Sequence, residues 1–356
     1  MDFDLSSEQK MLQDGLSEFL SKAVVATRLV QMDGAEVDAL RATVDAALFD
    51  MGLAGILVDE AHGGLDLGLL TLVVVAEELG RHAAPSSAIR NALAAWVISS
   101  SGSEAQKTRW LGGLLDGSVH AAFAVQEGDS WSPEAWTSGL DGGPLNKRNV
   151  EGGADADLLI VALGGPKLGL AHGAGITRKE PRPALDTTRP VVDLAIAPEA
   201  IEELQGSERL AAPLRDAQLA LLAADAYGAG QSAFDMSVEY AKTRTQFDRP
   251  IGSFQAIKHQ LANMALEIHP ARFLAWYAAH AWDAIPADVE HAAALAKAHV
   301  PDVAVRTARA TVEAHGGIGY TWEYPLHLFL KRAMFDRVAW GGVEEHRARV
   351  ATLSAW

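Results

Sequence analysis

Phe254, Ile257, Leu261, Met264 and Ile268 step along the chain by 3, 4, 3 and 4 residues. Only an α-helix stacks such positions on one stripe, and a stripe this apolar needs a partner helix to cover it. Helical periodicity extends over about 210–243, 253–283, 288–314 and 324–338, so four long helices in succession predict a bundle. Pro270 and Pro301 fall inside two of them, where a proline kinks a helix or marks its first turn.

The pattern differs upstream. Short apolar runs at 121–125, 158–163 and 191–196, separated by Gly, Pro and Asp, read as strands joined by turns. Before them the chain is helical again. Ser6 with Gln9 forms a capping-box signature ahead of Met11, Leu12, Leu16, Phe19 and Leu20, and further helices are expected near 67–80, 89–99 and 104–115. The expected fold class is α+β multi-domain: an N-terminal α domain over 1–118, a small central β domain over 119–205 and a C-terminal four-helix bundle over 206–356.

Composition excludes several functions. No cysteine is present, so disulfides, thiolate metal sites and a cysteine nucleophile are ruled out. The 12 histidines show no metal-ligand spacing such as HExxH, and no metal is expected. A net charge of -16 without a basic cluster argues against nucleic acid and against anionic lipid. No apolar run reaches the roughly 18 residues of a membrane span. The start, MDFDLSSEQK, lacks a basic region followed by an apolar one, so a cytoplasmic location is expected.

Two segments have chemical potential. In Tyr240-Ala-Lys-Thr-Arg-Thr-Gln-Phe247, Arg244 at a helix end can fork onto phosphate oxygens, Gln246 can donate an amide hydrogen bond, and Phe247 offers a flat apolar face. The same residues also suit a plain solvated helix terminus. In Glu313-Ala-His-Gly-Gly-Ile-Gly-Tyr320, glycines let backbone N–H groups approach a phosphate or ring closely, although a simple helix cap with a tight turn reads the same. His315 reads as a hydrogen-bonding turn residue. Trp340 and the aromatic residues between 273 and 282 suit either core or pocket wall.

These two segments, with Phe254-Gln-Ala-Ile257, Leu261-Ala-Asn-Met264 and Tyr324-Pro-Leu-His327, resemble the acyl-CoA dehydrogenase family. Weaker agreement comes from Met51-Gly-Leu-Ala-Gly-Ile56, Gly63-Gly64, Glu77-Glu-Leu-Gly-Arg81 and Gly102-Ser-Glu-Ala-Gln-Lys107, so the resemblance spans nearly the whole chain. It implies an α–β–α fold, an oligomer of homologous subunits and FAD, with Arg244, Gln246, Phe247, Glu313, Gly316 and Gly317 as cofactor-binding residues. It also implies an oxidoreductase that introduces an α,β double bond into an acyl-CoA thioester. A carboxylate removes the α proton, the flavin takes the β hydride, and an electron-transfer acceptor reoxidises the flavin.

The chain departs from the family at the chemistry. The family's glutamate base just past the Tyr-Pro helix falls on Trp340, followed by Gly341 and Gly342. In another branch the base lies on the first helix of the C-terminal domain, and that position is Gln218. Neither side chain can remove a proton, so the catalytic residue is unknown. Where flavin-ring contacts are expected the chain reads Gln126-Glu-Gly-Asp-Ser-Trp131 and Arg148-Asn149-Val150. In the family each FAD lies across a subunit interface. This chain keeps the half a neighbour contributes and loses the half the owner contributes. That implies the non-catalytic subunit of a heteromeric α2β2 dehydrogenase of the steroid side-chain type, partnered by a homologous subunit carrying the catalytic Glu. Two alternatives stay open at this point. One is a self-sufficient homomeric flavoenzyme whose base is Glu127, Glu344 or Glu345, and the other is a flavin-free binding or scaffold homologue.

Overall fold

The structure, a computed structural model, describes residues 4–140 and 142–354. Residues 1–3 of the N-terminal segment read above lie outside them. Six helices come first: α1 (Ser7–Ala23), α2 (Ala26–Leu29), α3 (Gly34–Asp50), α4 (Gly68–His82), α5 (Ala88–Ser101) and α6 (Glu104–Asp116). The capping box on α1 is present. The Ser6 side chain accepts from the Gln9 N–H at 3.2 Å, and the Gln9 side chain accepts from the Ser6 N–H at 3.0 Å. Ser103 and Gln106 repeat the arrangement on α6, which satisfies N–H groups that a helix start leaves unpaired.

Seven strands follow: β1 (Ala121–Ala124), β2 (Leu145–Glu151), β3 (Leu158–Leu163), β4 (Lys167–His172), β5 (Ile176–Arg182), β6 (Val191–Ile196) and β7 (Ile201–Glu203). Then come α7 (Ala211–Thr243), the hairpin β8 (Thr245–Gln246) and β9 (Arg249–Pro250), α8 (Gln255–Ala284), α9 (Val289–His315), α10 (Leu326–Val338) and α11 (Val343–Leu353). The expected order of helices, strands and helices is therefore present. Pro270 and Pro301 lie within the continuous helices α8 and α9. Contacts group the chain into two compact units. One holds the chain up to Leu40, Val73–Ala84 and everything from Leu219 on; the other holds Arg41–Leu72 and Pro85–Gln218.

In the second unit the strands form two sheets, ordered β1-β3-β4-β7 and β2-β6-β5, and among the described residues only the β1–β3 pair is parallel. β3 is buried along its whole length, whereas β6 alternates and turns Val192, Leu194 and Ile196 inward. These side chains join Leu159, Val161 and Leu163 in one apolar cluster fed by both sheets. Edge strand β5 carries Arg178, Pro181 and Arg182, residues that discourage pairing with a foreign strand. β2 is irregular between Lys147 and Val150, with Asn149 in the left-handed region at φ 49°.

In the first unit α9 packs against α8, α10 and α11. Its buried alanines let the helices approach closely, and Ala304 and Val305 cluster with Ala226 of α7 and Ala333 of α10. The crossing of α4 with α7 depends on glycine. A Cβ at Gly228 would stand 2.1 Å from the Glu77 carbonyl oxygen, and one at Gly80 would stand 2.0 Å from that of Asp225. Beside this crossing, buried Arg332 donates to both oxygens of Asp225 at 2.7 Å and to the Ala84 carbonyl at 3.1 Å. The stripe on α8 is graded. Ile268 and Met264 are buried, whereas Leu261, Ile257 and Phe254 are half-buried. Full burial is worth about 1.5–3 kcal/mol per such side chain, so within the single chain the C-terminal end of the stripe anchors α8.

Candidate functional site

α7 ends at Thr243, and the main chain turns at once into the β8–β9 hairpin. The Arg244 N–H still bonds to the Tyr240 carbonyl at 2.8 Å, and the Arg244 carbonyl accepts from Ile251 N–H at 2.8 Å. The two strands leave a two-residue turn, Phe247 and Asp248, with φ of 52° and 58°. Two consecutive left-handed residues give the twist a tight hairpin needs, and glycine or asparagine usually provides them. Phe247 is 87% exposed, its ring edge-on to Phe254 at 6.1 Å, and the Arg249 guanidinium lies over Phe254 at 4.1 Å. Arg244 and Gln246 are exposed on the same hairpin.

α9 ends one residue before the glycine turn. Gly316 has φ 64° and ψ -141°, backbone that only glycine enters readily, and a Cβ at Gly316 or Gly317 would meet no atom within 4 Å. The main chain is open there, and Glu313 is exposed one turn earlier. Buried His315 ties this turn to the end of α7. Its ring stacks on Tyr240 at 4.3 Å and lies 5.1 Å from Tyr324. Its Nδ1 donates to the Thr311 carbonyl at 2.8 Å, which leaves the lone pair on Nε2. Burial pushes the His315 pKa down, and the Thr311 carbonyl only partly offsets this. The imidazole is thus neutral near pH 7 and serves as a wedge between α7 and α9, in keeping with a turn-stabilising role. A cavity of about 340 Å³ opens beside Tyr240 and Tyr324. Its carboxylates Asp235 and Glu239 already pair with Arg81 and Lys242.

The two positions on which the family's base is expected to fall look different. Trp340 sits in the loop between α10 and α11, only 7% exposed, with φ 57°, and Gly341 follows at φ 102°. The loop is held from two sides. His346 Nε2 donates to the Trp340 carbonyl at 2.9 Å, and the Lys297 ammonium donates to the Gly341 carbonyl at 2.8 Å and the Arg337 carbonyl at 3.2 Å. Lys297 is fully buried; burial pushes its pKa down to about 7, against the pull of Asp336 and Glu345. Gln218, in the other unit, is buried on α7 near Arg215, which pairs with Asp216 at 2.8 Å and Glu134 at 3.0 Å.

The segment from Gln126 is closed by its own groups. Gln126 accepts from the Asn149 amide at 2.7 Å and donates to the Gly128 carbonyl at 3.2 Å. The Glu127 carboxylate accepts from the Lys147 ammonium and from the N–H groups of Thr137 at 2.7 Å and Ser138 at 3.2 Å. Burial raises the Glu127 pKa, but Lys147 and the Thr137 N–H outweigh it and hold the carboxyl below its ordinary value. Glu344 is exposed and pairs with Arg347 at 3.1 Å, and Glu345 is exposed beside Gly341. Among the described residues no group of three or more His, Cys, Asp or Glu could hold a metal ion, and no helix is long and apolar enough to cross a membrane.

Sequence reasoning singled out Arg244, Gln246 and Phe247 at a helix end and its following loop, and Gly316 and Gly317 at a glycine turn; the structure makes that loop a hairpin and connects the two segments through His315 and Tyr240. Sequence reasoning missed Lys147, Lys297 and His346. A signal existed for Lys297, a lone charge in the alanine-rich run Ala292-Ala-Ala-Leu-Ala-Lys-Ala298. For Lys147 and His346 the meaning lies in partners distant in sequence or in a turn that local pattern does not specify.

Comparison with known proteins identifies the family. Residues 6–118 match the acyl-CoA dehydrogenase N-terminal domain and residues 217–353 the acyl-CoA dehydrogenase C-terminal domain. An acyl-CoA dehydrogenase of Bacillus subtilis is 30% identical over 83% of this chain and 85% of its own length. Acyl-CoA dehydrogenase FadE34 of Mycobacterium tuberculosis is 31% identical over 99% of this chain, which spans 48% of that relative's length. Among solved structures, a variant of the steroid ACAD Tcur3481-Tcur3483 is 28% identical, covers 98% of both chains and superposes with a TM-score of 0.85. On these matches and on its order of helical, β and helical regions, the chain belongs to the acyl-CoA dehydrogenase family.

Proposed function

We propose that this chain is the base-less subunit of a heteromeric acyl-CoA dehydrogenase that introduces an α,β double bond into an acyl-CoA thioester. The observation that carries the reading is Trp340. The family's base position holds an indole that is buried and whose carbonyl and neighbouring carbonyl are already bonded. Glu127, one of the alternative bases, has its carboxylate engaged by an ammonium and two N–H groups and its pKa held low, the opposite of a poised base. The proton is removed by the glutamate of a homologous partner subunit.

The cofactor is FAD, and the exposed face fits its pyrophosphate–adenosine half. Arg244 presents a free-standing planar fork for phosphate oxygens, and Phe247 presents a ring face for adenine. Gln246 adds an amide, and Gly316 and Gly317 leave the backbone bare for close approach. Glu313 suits a ribose hydroxyl, because a carboxylate beside the pyrophosphate would repel it. On the ring side, Gln126 and Asn149 bond to each other and Glu127 is taken by Lys147, Thr137 and Ser138, so this chain offers few groups to a flavin ring of its own. Bound FAD supplies the hydride acceptor. The likeness to the steroid ACAD Tcur3481-Tcur3483 supports a bulky, steroid-bearing thioester as substrate, with a separate electron-transfer protein as acceptor.

Flavin content separates the readings. The chain purified alone should hold little FAD, and the complex with its partner should hold flavin that acyl-CoA bleaches. In that complex Arg244→Lys should weaken flavin retention about tenfold, since a point ammonium replaces a bidentate fork. Removing the partner's glutamate should abolish turnover. Reduction of FAD by acyl-CoA at ordinary rates in the chain alone would move the base into this chain and end the proposal.

A further inference from the structure

Glu78 and His82 stand one turn apart on α4, each with a buried atom that has no hydrogen-bond partner among the described residues. These atoms, Oε2 of the carboxyl and Nε2 of the imidazole, lie 3.9 Å apart. One proton between them satisfies both, because a carboxylic acid has a donor to give and a neutral imidazole has a lone pair to accept it. A shift of about 1 Å brings the two atoms to hydrogen-bond distance. We infer that Glu78 and His82 form a proton-storing site, in which one shared proton sits on the carboxyl and bonds to a neutral imidazole.

The surrounding groups decide which form the pair takes. From α1, Gln13 donates to Oε1 of Glu78 at 3.1 Å, and Ser17 bonds to the same carboxyl. On α4 itself, Arg81 lies 3.9 Å from Oε1 but pairs more closely with Asp235 of α7, at 3.0 Å. Glu77, the adjacent carboxylate, is taken by Arg272 of α8 at 2.6 Å. Tyr227 of α7, pushed up to about 12 by burial, stays neutral. An ion pair here would bury an imidazolium that Arg81 repels beside a carboxylate that Glu77 repels. Their attraction offsets that desolvation only in excellent geometry, and 3.9 Å is not such geometry. The neutral pair buries no charge, and it leaves Oε1 as the acceptor for Gln13. The end of a helix favours a cation, and His82 is the last residue of α4. Burial and Arg81 outweigh this and push its pKa down to about 4, while burial raises that of Glu78 against the pull of Arg81.

Between pH 4.5 and 6.5, the ordinary values of the two groups, the unfolded chain keeps one proton, on His82. Folding moves it to Glu78, so the proton count does not change and the native pair adds no slope to stability across that window. Splitting the pair should expose two opposite slopes. In Glu78→Gln the folded chain lacks a proton that the unfolded His82 binds, so stability should rise with pH from about 4 to 6.5. In His82→Gln the folded Glu78 keeps a proton that the unfolded one has lost, so stability should fall as pH rises above 4.5. Each slope reaches at most about tenfold in the folding constant per pH unit, read by urea titrations against the native chain. Nitrogen-15 spectra of the native full chain, midway through the window, should show His82 as a neutral imidazole protonated on Nδ1. Carbon-13 spectra should show the Glu78 carboxyl protonated there. These two readings need no variant to fold. An imidazolium at His82 or an ionised Glu78 overturns the inference, as does a slope unchanged from the native chain in either variant.

Discussion

Two loops of the helical unit use the same backbone device to opposite ends. After α7, Phe247 and Asp248 take φ of 52° and 58°; after α10, Trp340 and Gly341 take φ of 57° and 102°. Each places a large aromatic residue in the left-handed region, where bulky side chains are rare. Phe247 is 87% exposed and Trp340 is 7% exposed. The hairpin's aromatic carries no core packing, so burial does not offset its strained conformation. The Trp340 loop is clamped by Lys297 and His346 from within, so its strain is balanced inside the fold. One loop presents groups and the other consumes them.

The largest expected difference between the loops is in stability. Trp340→Ala removes a buried indole and should cost about 3–5 kcal/mol, whereas Phe247→Ala should stay within about 0.5 kcal/mol. Urea midpoints of the two variants measure this. In the reconstituted complex the order reverses for flavin retention, with Phe247→Ala weakened and Trp340→Ala retaining its cofactor if it folds. Equal stability losses would erase the distinction between the loops.

A smaller effect tests the clamp itself. Burial holds the Lys297 pKa near 7 against an ordinary 10.5. Between those values the unfolded chain binds a proton that the folded chain lacks, so this group makes stability rise with pH across the window. The rise should be on the order of a few kcal/mol between pH 7 and 10, and Lys297→Met should remove that part of the slope in urea titrations at each pH. A slope unchanged in Lys297→Met would mean that the buried amine does not titrate there.

The hairpin and the clamp also show what the sequence could disclose. The α8 stripe and the β3 run were readable because their apolar residues repeat at one period over many residues. α11 was not, because it buries little beyond Val343 and His346 and so carries no stripe. The β8–β9 hairpin carries Phe-Asp where a glycine or asparagine would have signalled a turn. Arg244 and the glycine turn stand out in the sequence as local motifs. The bonds from Lys297 to Gly341 and from Lys147 to Glu127 join residues 44 and 20 apart, and no local period encodes them.

The smallest effect is also the finest test of the hairpin. Asp248 occupies φ 58° with a side chain that is exposed and makes no packing contribution to the core. Glycine enters that region without the steric cost of a Cβ, so Asp248→Gly should relieve about 0.5–1 kcal/mol of strain. The unfolded chain gains freedom from the same glycine, which takes back part of the relief. A net gain of a few tenths of a kcal/mol is therefore expected, readable as a slightly higher urea midpoint. Phe247→Gly should behave alike in stability and differ in the complex, because it also removes the ring face proposed for adenine. If both variants stabilise the chain and only Phe247→Gly loses flavin, the left-handed Phe247 is retained for binding at the expense of stability. If neither stabilises it, the turn is unstrained, and the contrast between the two loops rests on burial alone.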